Sequence, residues 1–246
     1  MTAILITTAL YGIVIGLCTE GISQRTTEHV CHRKGLAGPD IDPSRRGALR
    51  IALPLTHIAA CAAIGLLASR TLPTSTPLAS MPMAQSLLGC MLLTTVIVAV
   101  WIELTINIIP NELVILTLLL GLAYRVLSGW LRGDVLSSLL GSLGAFIITL
   151  VIFVCSIASA RKASNGSSHG VGAGAFKMAL ALSVAVGFPG VVFFYLGLFA
   201  TVAVYFLFQL LTGSYSFLTE FPLSPFLFLG LLCGLACPYL LPAIWP

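Results

Sequence analysis

Eight apolar segments follow one another along the 246-residue chain, separated by short polar stretches. A helix that crosses the hydrocarbon core of a bilayer needs about 20 mostly apolar residues, and most of these segments reach that length. Backbone polar groups must be paired within the segment in lipid, which favours helices over strands. The sequence therefore predicts an all-α, polytopic transmembrane helical bundle with about eight spans, forming a single membrane domain over residues 1–246. The predicted spans are 3–18, 50–68, 85–102, 112–131, 135–159, 175–188, 190–212 and 222–243.

Charge separates this chain from soluble and nucleic-acid-binding proteins. Only 8% of its residues are charged, against about 25% in soluble domains, which is too few to cover a soluble surface. Twelve basic and eight acidic residues leave a net charge of +4 without an arginine-rich stripe. We therefore expect membrane lipid, and no nucleic acid, among its partners.

The basic residues are distributed unevenly between the connecting loops. Odd-numbered loops hold nine Lys and Arg residues and even-numbered loops hold three, with Arg125 and Arg132 both counted in the fourth. The positive-inside rule then places the odd loops in the cytoplasm and both termini outside a plasma (inner) membrane. Segment 19–49 is predicted to be a cytoplasmic loop, and 161–174 a flexible, Gly/Ser-rich cytoplasmic loop.

Glu103 is the main candidate for chemistry, because an ionisable residue at membrane depth is costly and therefore suggests a function. It follows the apolar run 96–102 at the predicted cytoplasmic boundary. An interfacial carboxylate that reaches water is the alternative interpretation. Glu112 opens the next span, where an acid suits the helix dipole.

A second candidate segment joins small residues to a cation. Gly172 and Gly174 precede Lys177 at the start of the sixth span, and their small size permits close backbone approach. Simple flexibility is the alternative interpretation. His57 lies in the middle of the second span, where an interhelical hydrogen bond is the favoured role.

The cysteines and histidines do not predict a metal site. Cys18 and Cys31 lie near His29 and His32, but their spacing lacks the Cys-x-x-Cys pairs typical of zinc sites. We expect no metal and no cofactor, although the sequence leaves open whether segment 19–49 binds a metal.

Three segments resemble the type IV prepilin peptidase family, membrane aspartic proteases of the Gly-x-Gly-Asp type. The family's first motif is an aspartate followed seven residues later by Pro and then Asn or Asp, a spacing found at Glu103, Pro110 and Asn111. The second is Gly-x-Gly-Asp-x-Lys, which 172–177 matches except at Ala175. The string 221–227 is similar to the start of the family's last span. The resemblance covers roughly residues 85–243.

The resemblance implies that Glu103 and Ala175 occupy the positions of the two catalytic aspartates, with Pro110, Asn111, Gly172, Gly174 and Lys177 as supporting motif residues. In such enzymes one carboxylate acts as base and the other as acid, and each contributes about 10²–10⁴-fold. Alanine can do neither, so we expect the chain to be inactive or impaired. It departs further from larger family members in lacking a two-pair cysteine zinc module in the first loop.

Three functions follow from these observations. The first is a prepilin peptidase family protein whose ancestral activity is to cleave leader peptides from type IV pilin-like or pseudopilin precursors at the cytoplasmic face. The altered dyad would make it either a naturally degenerate homologue or a deliberately inactivated enzyme, so the sequence leaves catalysis open. The second is a non-catalytic scaffold or chaperone for pilin or secretion-system assembly. The third is a small proton-coupled transporter in which Glu103 carries the proton. The sequence does not determine the oligomeric state.

Overall fold

A computed structural model describes residues 2–36, 43–71, 80–163, 173–213 and 222–240. Within these ranges all regular structure is helical, which confirms the predicted all-α bundle. The eight helices are α1 (Thr2–Lys34), α2 (Pro43–Thr71), α3 (Ser80–Ile106), α4 (Asn111–Arg132), α5 (Val135–Ala163), α6 (Ala173–Val186), α7 (Gly190–Leu211) and α8 (Ser224–Leu240).

Six of these helices are long and apolar enough to cross a membrane, namely α1 to α5 and α7. The chain is therefore a membrane protein. The other two are shorter: α6 has 14 residues and α8 has 17 in the described part of the chain. At 1.5 Å per residue, α6 is about 21 Å long, less than the roughly 30 Å of a hydrocarbon core.

The first connecting segment contains more helix than the sequence analysis predicts. Most of segment 19–49 belongs to α1 or α2. Hydropathy shows where apolar residues stop but not where backbone hydrogen bonding stops. The polar end of α1 stays helical, with Gln24 Nε2 donating to Glu20 Oε1 at 2.9 Å and Arg50 Nε of α2 pairing with Glu20 Oε1 at 2.5 Å. The cytoplasmic location of this segment stays a prediction.

Residues 164–172 of the second predicted loop lie outside the described residues, and residues 161–163 complete α5. Arg125 is also placed differently from the prediction that counted it with the fourth loop. It lies inside α4, seven residues before the end of that helix, and is buried. The count of basic residues assigned Arg125 to the nearest connecting loop, because the sequence alone does not show which side of a helix is covered by other helices.

The core is centred on α3, which packs against α1, α2, α4 and α8. Helix α6 is covered by α4, α5, α7 and α8, and nine of its residues are buried. Large side chains fill the space between these helices; the fully buried ones include Leu92, Leu93, Ile97, Trp101, Met178, Leu182, Phe194, Leu227 and Leu231.

His57 has the role predicted for it. Its Nδ1 lies 3.3 Å from the carbonyl oxygen of Gly12 in α1, and its Nε2 lies 2.9 Å from Thr94 Oγ1 in α3. The ring is fully buried and joins three helices. The prediction of an interhelical hydrogen bond is therefore confirmed.

Candidate catalytic site

The turn between α3 and α4 places Glu103 one helical turn before the end of α3. The N–H of Asn107 donates to the carbonyl oxygen of Glu103 at 2.9 Å. Asn107 then takes a left-handed conformation with φ +52°, which asparagine tolerates better than most residues. Pro110 follows in an extended conformation and leads directly into α4 at Asn111. This tight connection keeps the first motif at one end of the bundle.

The carboxylate of Glu103 is buried and bonded to the start of α8. Glu103 is only 7% exposed, and its Oε2 accepts a hydrogen bond from the backbone N–H of Ser224 at 2.6 Å. The first N–H groups of a helix have no partner within the helix, and the helix dipole favours a negative charge there. Glu103 therefore caps α8 across 121 residues of sequence.

Ser224 is the residue of this site that sequence reasoning missed. It belongs to string 221–227, which the sequence analysis used only as a resemblance. A serine before a proline at the start of an apolar run is a helix-start signal, but it does not say which carboxylate the helix meets. The Ser224 side chain is fully buried, and its Oγ has no hydrogen-bond partner among the described residues.

The second motif segment contacts the first through Gly174. A Cβ built on Gly174 would lie 3.1 Å from Ile109 Cβ and 3.3 Å from Ile109 N, so only glycine permits this approach without movement. Lys177 adds a polar link, because its Nζ donates to Asn111 Oδ1 at 3.2 Å. Four of the predicted motif residues therefore lie at this junction of α4 and α6: Pro110, Asn111, Gly174 and Lys177. Gly172 lies outside the described residues.

Ala175 is buried in apolar surroundings. It is 2% exposed and belongs to the same hydrophobic cluster as Ile102 and Ile109. Its methyl group offers no proton donor or acceptor. Position 175 thus supplies packing, and of the two predicted dyad positions only 103 carries a carboxylate.

Glu112 is the next acid along the chain, but it is committed elsewhere. Arg33 of α1 donates to both carboxylate oxygens, Nη1 to Oε1 and Nη2 to Oε2. Both side chains are largely exposed, at 46% for Arg33 and 61% for Glu112. Glu103, in contrast, is buried against α8. Among the described residues, this site offers one buried carboxylate with a backbone donor and no second carboxylate beside it.

An apolar groove begins at this ion pair and runs along α1, α3 and α4. Its volume is about 400 Å³. Apolar side chains line most of it, and Pro110 and Glu112 lie at the end where α4 starts. We call this surface the lateral groove; its lining includes Tyr11, Val30, Met91, Val98, Leu113 and Leu116.

Residues 90–207 match the model of the type IV leader peptidase family. The matched range contains both motif segments described above and excludes the string at the start of α8. Just under half of the chain, 118 of its 246 residues, is therefore similar to this family. No curated protein and no solved structure is significantly similar to the chain.

This similarity supports a function of the prepilin peptidase kind and a location in a membrane. The roles of individual residues in this chain stay predictions. So does the expectation of no metal. Across the described ranges, no group of three or more His, Cys, Asp or Glu side chains comes together.

Proposed function

We propose that this leader peptidase family protein binds prepilin-type precursors in the membrane but hydrolyses them poorly or not at all. The observation that carries the proposal is Ala175, a buried alanine beside the first motif segment where the second catalytic carboxylate is expected. The bond from Ser224 to Glu103 supports it further, because the remaining carboxylate serves as a helix cap.

The expected loss of activity follows from acid–base chemistry. Hydrolysis of an amide by an aspartic protease uses one carboxylate to activate water and a second to protonate the leaving nitrogen. Losing one such group costs about 10²–10⁴-fold in rate. Groups that act as a unit fail together, so Glu103 alone does not retain half the activity.

The lateral groove suits the substrate that the family implies, a basic leader followed by an apolar helix. Helices α1, α3 and α4 form its apolar walls, and these walls match an apolar helix that lies along the groove. Glu112, at the end of the groove, already binds one guanidinium, that of Arg33. We propose that a basic residue of the leader competes with Arg33 for this carboxylate.

This arrangement fits the predicted topology. The start of α4 and the start of α6 carry the motif residues and lie at the same end of the bundle. We propose that this end faces the cytoplasm of a cell bounded by the plasma membrane, with both termini outside. A cysteine substituted at position 112 checks the orientation. We expect a thiol reagent confined to the cytoplasm to block the labelling of this cysteine by maleimide.

The proposal is tested by restoring the dyad. We expect no cleavage of a synthetic prepilin by the chain as it stands and measurable cleavage by the double variant Glu103→Asp and Ala175→Asp. The matched control is Glu103→Asp with Ala179→Asp, which places the second carboxylate one turn further along α6 at another buried alanine. Cleavage by the unaltered chain, or equal cleavage by the control, would contradict the assignment of position 175.

Binding is measured separately from cleavage. A photocrosslinking amino acid at Met91, in the lateral groove, should capture the precursor's apolar helix, whereas one at Val204 should not. Val204 is an exposed apolar residue of α7 and does not line the groove. Equal capture at both positions would show that the groove has no special role in substrate binding.

The second candidate function is a non-catalytic scaffold or chaperone for pilin or secretion-system assembly. The structural role of Glu103 favours it, since this carboxylate already stabilises the start of α8. If the restored dyad does not cleave but the unaltered chain still captures the precursor at Met91, this second function is the better one.

A further inference from the structure

The far end of the bundle contains a deep recess that exists because α6 is short. Helix α6 starts beside Asn111 and Ile109, and its 14 residues bring it only to the level of Arg125 on α4. Helix α4 continues for seven more residues, about 10 Å, to Arg132. The turn 187–189 therefore contacts α4 well before the last residue of that helix. A space remains between this turn and the α4–α5 connection.

Arg125 lies at the base of this space and is almost completely buried, with 4% of its surface exposed. Its Nε donates to Ser142 Oγ at 3.2 Å and its Nη2 to the carbonyl oxygen of Ser138 at 3.0 Å. Two glycines, which have no Cβ, leave space for the guanidinium. A Cβ on Gly187 would lie 2.6 Å from Arg125 Cζ, and one on Gly141 would lie 3.2 Å from Nη2.

The charge of Arg125 has no anionic partner in the described part of the chain. Both of its acceptors are neutral, and the ion pairs found there join other residues. A guanidinium has five N–H donors, and the two bonds above leave three. A buried cation at membrane depth without a counter-ion is costly and rare.

The space that these donors line is a cavity of about 480 Å³. Its lining combines two cations with polar and aromatic groups, namely Arg125, Arg132, Asp134, Ser137, Phe188 and Pro189. Asp134 is engaged in capping α5, since its Oδ1 accepts from the Ser137 N–H at 2.9 Å. The cavity is large enough for a phosphate group together with ordered water.

The surroundings of the cavity indicate where a phosphate would come from. Apolar side chains next to it point outward, with Leu136 69%, Leu140 58% and Phe188 52% exposed. Trp130, one turn before the α4–α5 connection, is 61% exposed, and tryptophan is enriched at the level of lipid headgroups. A ligand with an anionic head and acyl chains matches both parts of this surface.

We infer that this cavity is a binding site for the phosphate of a phospholipid headgroup, held by Arg125 and Arg132 while the acyl chains lie along the exposed face of α5. The net charge of the lining favours an anionic lipid.

The test measures the midpoint of thermal unfolding of the full chain in an uncharged detergent. Added phosphatidylglycerol should raise the midpoint in a saturable way, because a ligand that binds only the folded state stabilises it. Inorganic phosphate and diacylglycerol, at the same concentration, should not. Arg132→Gln should weaken the apparent affinity for phosphatidylglycerol at least threefold, while Arg25→Gln, an exposed cation of α1, should leave it unchanged.

A second variant avoids removing a buried arginine. Ser137→Phe would obstruct the cavity without deleting a donor from Arg125, and should abolish the saturable shift. Leu17→Phe, at an exposed position of α1 that does not line the cavity, should retain it. An equal shift with diacylglycerol would overturn the role of the headgroup. An arginine-dependent shift with inorganic phosphate alone would overturn the proposal that the phosphate belongs to a lipid. Normal lipid binding by Ser137→Phe would overturn the proposal that the lipid binds in this cavity.

Discussion

The protein contains two buried side chains of opposite charge, Glu103 in the first motif segment and Arg125 beside the turn after α6, and it accommodates the two charges differently. Glu103 is enclosed by the core and receives the backbone N–H of Ser224. Arg125 is held by a hydroxyl and a carbonyl and borders an open cavity. The charge of Glu103 receives a backbone N–H from the fold itself, whereas the guanidinium of Arg125 retains N–H donors next to the cavity.

This difference separates two meanings of an ionisable residue within an apolar span. Membrane depth alone marks both residues as functional candidates. The bonding around each residue then decides whether the charge serves architecture or recognition. By this criterion Glu103 is bonded to the backbone of another helix, whereas Arg125, although equally buried, borders a cavity.

The largest loss of stability is expected from Gly187→Ala, which disrupts the contacts of Arg125. A side chain at φ +67° costs about 1–2 kcal/mol, and the new Cβ would collide with Arg125 and break one hydrogen bond from a charged group, worth about 1.5–3 kcal/mol. Unfolding in detergent and SDS mixtures should show a loss of about 2.5–5 kcal/mol.

Gly133→Ala is the matched control for this variant. Gly133 has a similar φ of +75°, but a Cβ at this residue would have nothing within 4 Å of it. The substitution should cost only the backbone strain of about 1–2 kcal/mol. Equal losses for the two variants would mean that Arg125 is not fixed by the approach of Gly187.

Glu103→Ala should destabilise the protein less than Gly187→Ala. Leaving the buried N–H of Ser224 without an acceptor should cost about 1–3 kcal/mol in the same unfolding assay. Glu103→Gln keeps an acceptor oxygen and loses only the attraction between charge and helix dipole, about 0.3–1 kcal/mol. A larger loss for the glutamine variant than for the alanine variant would refute the capping role.

Combining the two disruptions should give a nearly additive result. Arg125 lies 14 residues, or about 21 Å, along α4 from Asn111, and Asn111 follows shortly after Glu103 in the chain. Distant sites without shared partners add to within about 0.5 kcal/mol. The double variant Glu103→Ala with Gly187→Ala measures this coupling. A coupling well above that value would show that disruption of one site affects the other.

The smallest effect on stability is expected at the exposed pair of Arg33 and Glu112. Surface ion pairs contribute little, so Glu112→Gln should leave the unfolding midpoint unchanged. The same variant should weaken crosslinking of a basic leader at the lateral groove, while Glu20→Gln, which breaks the pair with Arg50, should not. Unchanged capture by Glu112→Gln would mean that the leader does not use this carboxylate.

The helices and the motif junction could be predicted from sequence, because apolar segments and residue spacing are local properties. Glu103 was identified as a candidate since it interrupts an apolar run. Its partner, the backbone N–H of Ser224, is remote in sequence and is not encoded by a side-chain pattern. Arg125 was missed for a related reason, since its burial depends on where the turn after α6 meets α4.

The short length of α6 also has an electrical consequence. A voltage across a membrane falls mainly through the region of low dielectric constant, and solvent entering the recess at Arg125 would shorten that region locally. Over about 21 Å instead of about 30 Å, the same voltage gives a field roughly 1.4 times stronger along α6. A unit charge that crosses the full drop gains about 2.3 kcal/mol per 100 mV. A charge that moves along α6 would therefore gain the same energy over a shorter distance than one that crosses the full hydrocarbon core.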